Sequence, residues 1–152
     1  MKLINRKAAY EDLKFYQQIC EIRKLIYKIS ERFVRSHPRL ASQMRDAARS
    51  AKQNIREGYR NGSIGIFSNS LKISQGSLEE LMGDIEDCLE DGLIQKSEFI
   101  QLSKLFKSAD YMLSRYIQSL YKIKETGTWR KAGVKAVNVT SRNLSVTSRN
   151  LP

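Results

Sequence analysis

Apolar residues recur along the first 125 positions at steps of three and four, the spacing of one face of an α-helix, and they separate into four runs. The first run, about 11–35, carries Phe15, Ile19, Ile22, Ile26, Ile29 and Phe33. The second, about 40–59, places Leu40, Met44, Ala47, Ala48, Ala51 and Ile55 inward. The third, about 67–91, aligns Phe67, Leu71, Ser74, Leu78, Leu81, Ile85 and Cys88. The fourth opens after Ser97, a good N-cap residue, and keeps Phe99, Leu102, Phe106, Ala109, Leu113, Tyr116, Leu120 and Ile123 on one seam. Its mean period of about 3.5 residues is that of bundle helices packed at shallow angles.

The breaks between runs have their own chemistry. Pro38 ends the first helix, because the residue before a proline avoids the α region. Gly58 and the Asn61-Gly62 pair read as the stop of the second, Ser63 to Gly65 as a flexible connection, and Gly92 as the residue just past the third. Such short connections force consecutive helices to lie side by side and antiparallel. The expected fold is therefore all-α, an antiparallel up-down-up-down four-helix bundle over residues 1–125. The first run also has more apolar surface than one seam needs, at Leu13, Tyr16, Cys20 and Tyr27. Two readings of that surplus stay open: a wide core face, or a face buried against another subunit.

Residues 126–152 have no helical period and little to bury. They are read as a disordered basic tail, in which the hexapeptide 139–144, VTSRNL, returns at 146–151. No apolar run approaches the roughly 18 residues that a membrane-spanning helix requires. The first residues turn charged too early for a secretion signal, so the cytoplasm is the expected compartment. Cys20 and Cys88, far apart and within apolar helical positions, read as plain thiols.

Charge adds a second pattern. The chain carries a net charge of +11, distributed unevenly. Residues 1–60 hold 15 Lys/Arg against 6 Asp/Glu, residues 61–125 hold 7 against 10, and residues 126–152 hold 5 against none. A basic half beside a mildly acidic one points to a polyanionic partner. Catalytic parts are missing from the pattern. The one histidine, His37, adjoins Pro38 in a turn, and no Glu-x-x-His pair exists to build a di-iron site. Glu79, Glu80, Asp84, Glu86, Asp87, Glu90 and Asp91 lie off the apolar stripe of their helix and read as a solvated or subunit-contact face. No Gly-rich phosphate loop or activated nucleophile is present, so neither enzymatic activity nor any cofactor or metal is expected.

The second helix carries the feature with most to say. Arg45, Arg49, Lys52, Arg56 and Arg60 recur at steps of four, three, four and four. On a helix they occupy about an 80° arc some 115° from the apolar stripe, a row about 22 Å long. Arginine forks hold phosphate bidentately, and such a row matches a phosphate backbone. Lys24, Lys28, Arg32 and Arg35 give the first helix a similar end. Ordinary solvated charges, or pairing with the acidic third helix, would explain the same residues. Like charges at i, i+4 nevertheless disfavour the helix by a few tenths of a kcal/mol each, which weighs toward a use for them.

Two linked motifs carry a family resemblance. Ser42-Gln43-Met44-Arg45-Asp46-Ala47-Ala48-Arg49-Ser50 with Asn54-Ile55-Arg56-Glu57-Gly58-Tyr59 resembles the signature of the ribosomal-RNA intervening-sequence proteins, also called four-helix-bundle proteins. Leu71 with Gly76-Ser77-Leu78-Glu79-Glu80-Leu81 resembles that family's third-helix motif, and the likeness spans residues 8–123. Arg56 and Ser74 depart from it, each standing where the family has alanine, and the tail is unmatched. The resemblance implies a homopentamer, which would use the surplus face of the first helix. It also implies kinship of fold with the accessory protein of diversity-generating retroelements, which binds nucleic acid and a reverse transcriptase. Asn54, Glu57 and Gly58 match the motif and suit a structural task, a side-chain hydrogen bond and a helix stop. The leading expectation is a non-enzymatic, oligomeric protein that binds an RNA or DNA backbone. The alternative is a protein-interaction scaffold or accessory subunit without nucleic-acid contact.

Overall fold

In the computed structural model, which describes residues 9–127, the four apolar runs are four helices: α1 (Lys14–Ser30), α2 (Pro38–Arg60), α3 (Ile64–Glu90) and α4 (Lys96–Thr126). Short 3-10 turns precede and follow α1, at Ala9–Asp12 and Glu31–Phe33. The basic tail with its repeated hexapeptide lies outside the described residues. Each helix packs on two neighbours in the cyclic order α1–α2–α3–α4, and α2 lies closest to α3. Contacts run in opposite directions along every neighbouring pair. Tyr16 and Ser30 on α1 meet Arg56 and Arg45 on α2. Met44 and Ala51 on α2 meet Cys88 and Ser74 on α3. Phe15 and Gln18 on α1 meet Tyr116 and Ser108 on α4, and Lys72 and Gln75 on α3 meet Tyr121 and Asp110 on α4. The bundle is antiparallel throughout.

The stripes read from the sequence meet in one core. Ile22, Ile26, Met44, Ile55, Leu71, Leu81, Leu102 and Leu113 are wholly buried. A fully buried aliphatic side chain of this size contributes about 1.5–3 kcal/mol relative to exposure. Ile117 joins the α4 seam, while Phe99, Tyr116 and Ile123 sit at its margin. One end of the bundle is closed by aromatics from every helix. Tyr10 stands edge-on to Tyr16 at 5.0 Å and to Tyr59 at 5.2 Å. Tyr59 meets Phe67, Phe67 meets Tyr116 and Tyr116 meets Phe15, with ring centroids 5.3–6.2 Å apart.

Three boundary readings need correction. Ser63 is not part of a flexible connection; it is the N-cap of α3, with its hydroxyl accepting the Ile66 N–H at 3.5 Å. Helix α4 starts before Ser97, because Gln95 and Glu98 form a capping box in which Glu98 accepts the Gln95 N–H at 2.9 Å. Gly58 does not stop α2. It is buried within the helix, and the chain turns at Gly62, where φ is +73°. A Cβ added at Gly58 would stand 2.4 Å from Cβ and Oγ of Ser70, so this glycine permits the close approach of α2 and α3.

Candidate nucleic-acid interface

Helix α2 borders α1 on one flank and α3 on the other, and the two flanks differ in chemistry. Its basic row faces the groove shared with α1, where the α1 residues Tyr16, Cys20, Arg23 and Tyr27 recur at steps of four, three and four. The first and fourth members of the row bend into this groove. Arg45 donates from Nε to Ser30 Oγ at 2.8 Å, and from Nη2 to Glu31 at 2.8 Å and the Tyr27 carbonyl at 3.3 Å. Its guanidinium also covers the Tyr27 ring at 4.9 Å. Arg56 lies against Tyr16 and Tyr10, and their influence, that of Tyr16 foremost, outweighs burial and raises its pKa above the usual arginine value. Burial pushes the Tyr16 phenol up, with Arg56 opposing it.

Arg49 and Lys52 lie between these two anchors. Arg49 is exposed and Lys52 half-buried, and neither meets a hydrogen-bond or ion-pair partner among the described residues. Arg60 is exposed at the last turn of α2 and has contacts of its own. Arg45 and Arg56 are thus braced, whereas Arg49 and Lys52 are unpartnered among the described residues. Sequence reasoning passes over Arg23 although it belongs here: its guanidinium lies 4.6 Å from the Tyr27 ring. The signal available is its place four residues before Tyr27, on the same face of α1. Tyr27 is therefore flanked by two arginines, and each cation–π contact contributes about 0.5–1 kcal/mol at an exposed site. Arg32, by contrast, is occupied by Glu98 at 2.7 Å. Burial raises the Glu98 carboxyl, but the Gln95 N–H and Arg32 outweigh it and hold the pKa below the ordinary value.

The surplus apolar face of α1 is partly covered within the chain. Tyr16 is 6% exposed, under Tyr10 and Arg56, while Leu13 and Cys20 are half-buried against the core.

The flank toward α3 is built from small polar residues. Ser50 Oγ and Ser77 Oγ lie 3.0 Å apart, and Asn54 Nδ2 donates to the Ser50 carbonyl at 2.8 Å and to its hydroxyl at 3.1 Å. Ser74 donates to the Ala51 carbonyl at 2.6 Å. Glu57, the third motif residue, is exposed. A cleft of about 420 Å³ opens here, lined by Ser42, Gln43, Asp46, Ser50, Ser77 and Glu80. Its carboxylates make it unsuited to phosphate. Asp84 beside it has one carboxyl oxygen buried without a partner, and burial followed by Glu80 and Asp87 raises its pKa. Burial, followed by Asp84, Asp91 and Asp87, pushes the Cys88 thiol up to about 11. Among the described residues no three His, Cys, Asp or Glu side chains are placed to hold a metal ion, and no helix is long and apolar enough to cross a membrane.

The chain resembles a solved structure described as a protein of unknown function from the S23 ribosomal protein family of Bacteroides thetaiotaomicron. The TM-score is 0.63 at 18% identity, with 68% of this chain and 95% of the other covered. At that identity the likeness establishes the fold. None of the curated proteins matches the chain. The family described as 23S rRNA-intervening sequence protein matches residues 11–115, which include the motif on α2, the motif on α3 and most of α4. The chain belongs to the 23S rRNA-intervening sequence protein family.

Proposed function

We propose that this chain is a non-enzymatic nucleic-acid-binding protein that grips a phosphate backbone along the α1–α2 groove. The observation that carries the reading is the division of the basic row. Arg45 and Arg56 are braced on Tyr27 and Tyr16, while exposed Arg49 and half-buried Lys52 between them have no partner among the described residues. Braced cations hold the geometry of the groove, and unpartnered cations supply the charge that releases counterions from phosphates. The family description and the S23 ribosomal name of the structural neighbour favour RNA as the first polyanion to try.

The test is a salt titration of binding to mixed-sequence RNA and to duplex DNA, comparing the native chain with the Arg49→Gln, Lys52→Gln double variant. Each phosphate contact removed lowers the slope of log K against log salt by about one unit. The weakening is equal across sequences, since phosphate contacts position a protein without reading bases. Identical affinity and slope in the two proteins would remove the groove from the mechanism.

The same reading takes the chain as a homo-oligomer, a ring of five by the resemblance noted above. Support comes from α3, where Ile66 and Ile73 stand about half exposed on one face, rather than from the covered surplus of α1. Light scattering that returns the 17.5 kDa monomer at micromolar concentration would contradict it. The second reading, a scaffold or an accessory subunit of a reverse transcriptase, is favoured by the exposed carboxylates of α3 between Glu79 and Asp91 opposite a basic α2. Its sign would be an assembly that dissociates with salt while no nucleic acid binds at any ionic strength.

A further inference from the structure

Helix α4 presents a second basic face, away from the α1–α2 groove. Lys104, Lys107, Tyr111, Arg115, Gln118 and Lys122 recur at steps of three, four, four, three and four, and all six are exposed. They fill about an 80° arc on the side opposite the core seam and extend about 27 Å along the axis. Lys104, Lys107 and Lys122 have no hydrogen-bond or ion-pair partner among the described residues. The carboxylate nearest the middle of the row, Asp110, turns toward α3 and accepts a hydrogen bond from Gln75 at 2.8 Å.

Tyr111 lies at the centre of this face and is 61% exposed, the most exposed of the large apolar side chains among the described residues. Arg115 steadies it: Nη1 donates to the Tyr111 hydroxyl at 2.9 Å, and the guanidinium lies 5.6 Å from the ring centroid. An aromatic ring held open to solvent between lysines has no role in the core. Its chemistry is that of a platform on which a base stacks while neighbouring lysines take the phosphates. A duplex buries its base faces and offers nothing to such a ring. A splayed single strand offers both base and backbone.

We infer that the outer face of α4 binds single-stranded nucleic acid, with Tyr111 stacking a base and Lys104, Lys107 and Lys122 contacting phosphates. The inference rests on the nucleic-acid reading of the chain but not on the α1–α2 groove, and the experiment separates the two. Fluorescence anisotropy of labelled oligo-uridine, oligo-deoxythymidine and a duplex of equal length is measured with the native chain and with Tyr111→Ala, Tyr111→Phe, the Lys104→Gln, Lys107→Gln pair and the Arg49→Gln, Lys52→Gln pair. Tyr111→Ala is expected to weaken both single strands about tenfold while leaving the duplex unchanged, because one stacked base is worth about that factor. Tyr111→Phe keeps the ring and retains native affinity. The α4 lysine pair reduces the salt slope for single strands by about 0.7 for each phosphate no longer held, whereas Tyr111→Ala leaves the slope as it was.

Weaker binding with Tyr111→Ala and not with the α2 pair supports the α4 face and removes the groove. Weaker binding with the α2 pair and not with Tyr111→Ala does the reverse and overturns the inference. Equal weakening of duplex and single strand by Tyr111→Ala would overturn it too, as would a native chain that binds no nucleic acid or whose α4 face instead holds a partner protein.

Discussion

The two flanks of α2 are built from one stretch of sequence, and they behave as opposites. Toward α3 the helix offers Ser50, Ala51, Asn54 and Gly58, small residues that allow the closest helix–helix approach in the bundle and leave no room for a Cβ at Gly58. Toward α1 it offers long cations, two of them resting on tyrosines and two, Arg49 and Lys52, without a partner among the described residues. A tight, small-residue interface tolerates little change, because interiors are close-packed and resist extra volume. An exposed side chain without partners, such as Arg49 on the other flank, changes stability by less than about 0.5 kcal/mol when replaced. The same helix therefore fixes the fold with one side and is free to vary in function on the other.

The sharpest way to break this contrast is Gly58→Ala. In an open helix, alanine would stabilise by about 1 kcal/mol. Here the new methyl meets Ser70 at 2.4 Å, so α2 and α3 must separate. We expect a net loss of about 1–3 kcal/mol in urea unfolding. A gain in stability would show that the two helices can part at no cost and would undo the account of this flank.

Next in size is Asn54→Ala, which removes the hydrogen bonds to Ser50 and loosens the position of its hydroxyl against Ser77. The expected loss is about 1 kcal/mol in the same measurement. Arg45→Gln on the other flank should cost less, despite its three hydrogen bonds, since Glu31 and part of Arg45 remain in contact with water.

Asp84→Asn is expected to act in the opposite direction. The folded-state pKa of Asp84 lies above its unfolded value, through burial and then Glu80 and Asp87. The folded chain thus holds that proton more tightly. Its contribution to stability is complete below the unfolded pKa and is lost as pH rises through the folded pKa. At neutral pH the ionised carboxylate destabilises the fold, so asparagine should raise the urea midpoint there, and the difference should vanish in acid. A variant less stable than the native chain at neutral pH would contradict the assigned burial. The smallest effect is on reactivity: a thiol reagent should modify half-buried Cys20 before Cys88, whose pKa near 11 keeps it protonated.

Much of this architecture is legible in the sequence because the apolar period is local. Steps of three and four locate a helix without knowledge of its neighbour, and short turns then dictate the antiparallel order. Two of the misreadings involve a partner distant along the chain or side chains that compete for one role. Gly58 reads as a stop because only Ser70, on another helix, reveals its purpose. Ser97 reads as the cap of α4, a role that Gln95 and Glu98 fill together. The basic row on α2 is visible in the sequence, but its division is not. Which arginines are braced depends on Tyr10, Tyr16, Tyr27 and Ser30, and on how α1 slides against α2. The departures from the family pattern, Arg56 and Ser74, both find partners in the fold, at Tyr16 and at the Ala51 carbonyl.

The measurement that bears most directly on the divided helix is a paired one: urea unfolding and RNA binding across a salt series, for the native chain and the Arg49→Gln, Lys52→Gln variant. We expect an unfolding free energy within about 1 kcal/mol of native, about 0.5 for each substitution, and a salt slope reduced by about one unit for each phosphate no longer held. A destabilised variant with an unchanged salt slope would contradict this, placing Arg49 and Lys52 of α2 in the fold and not in binding.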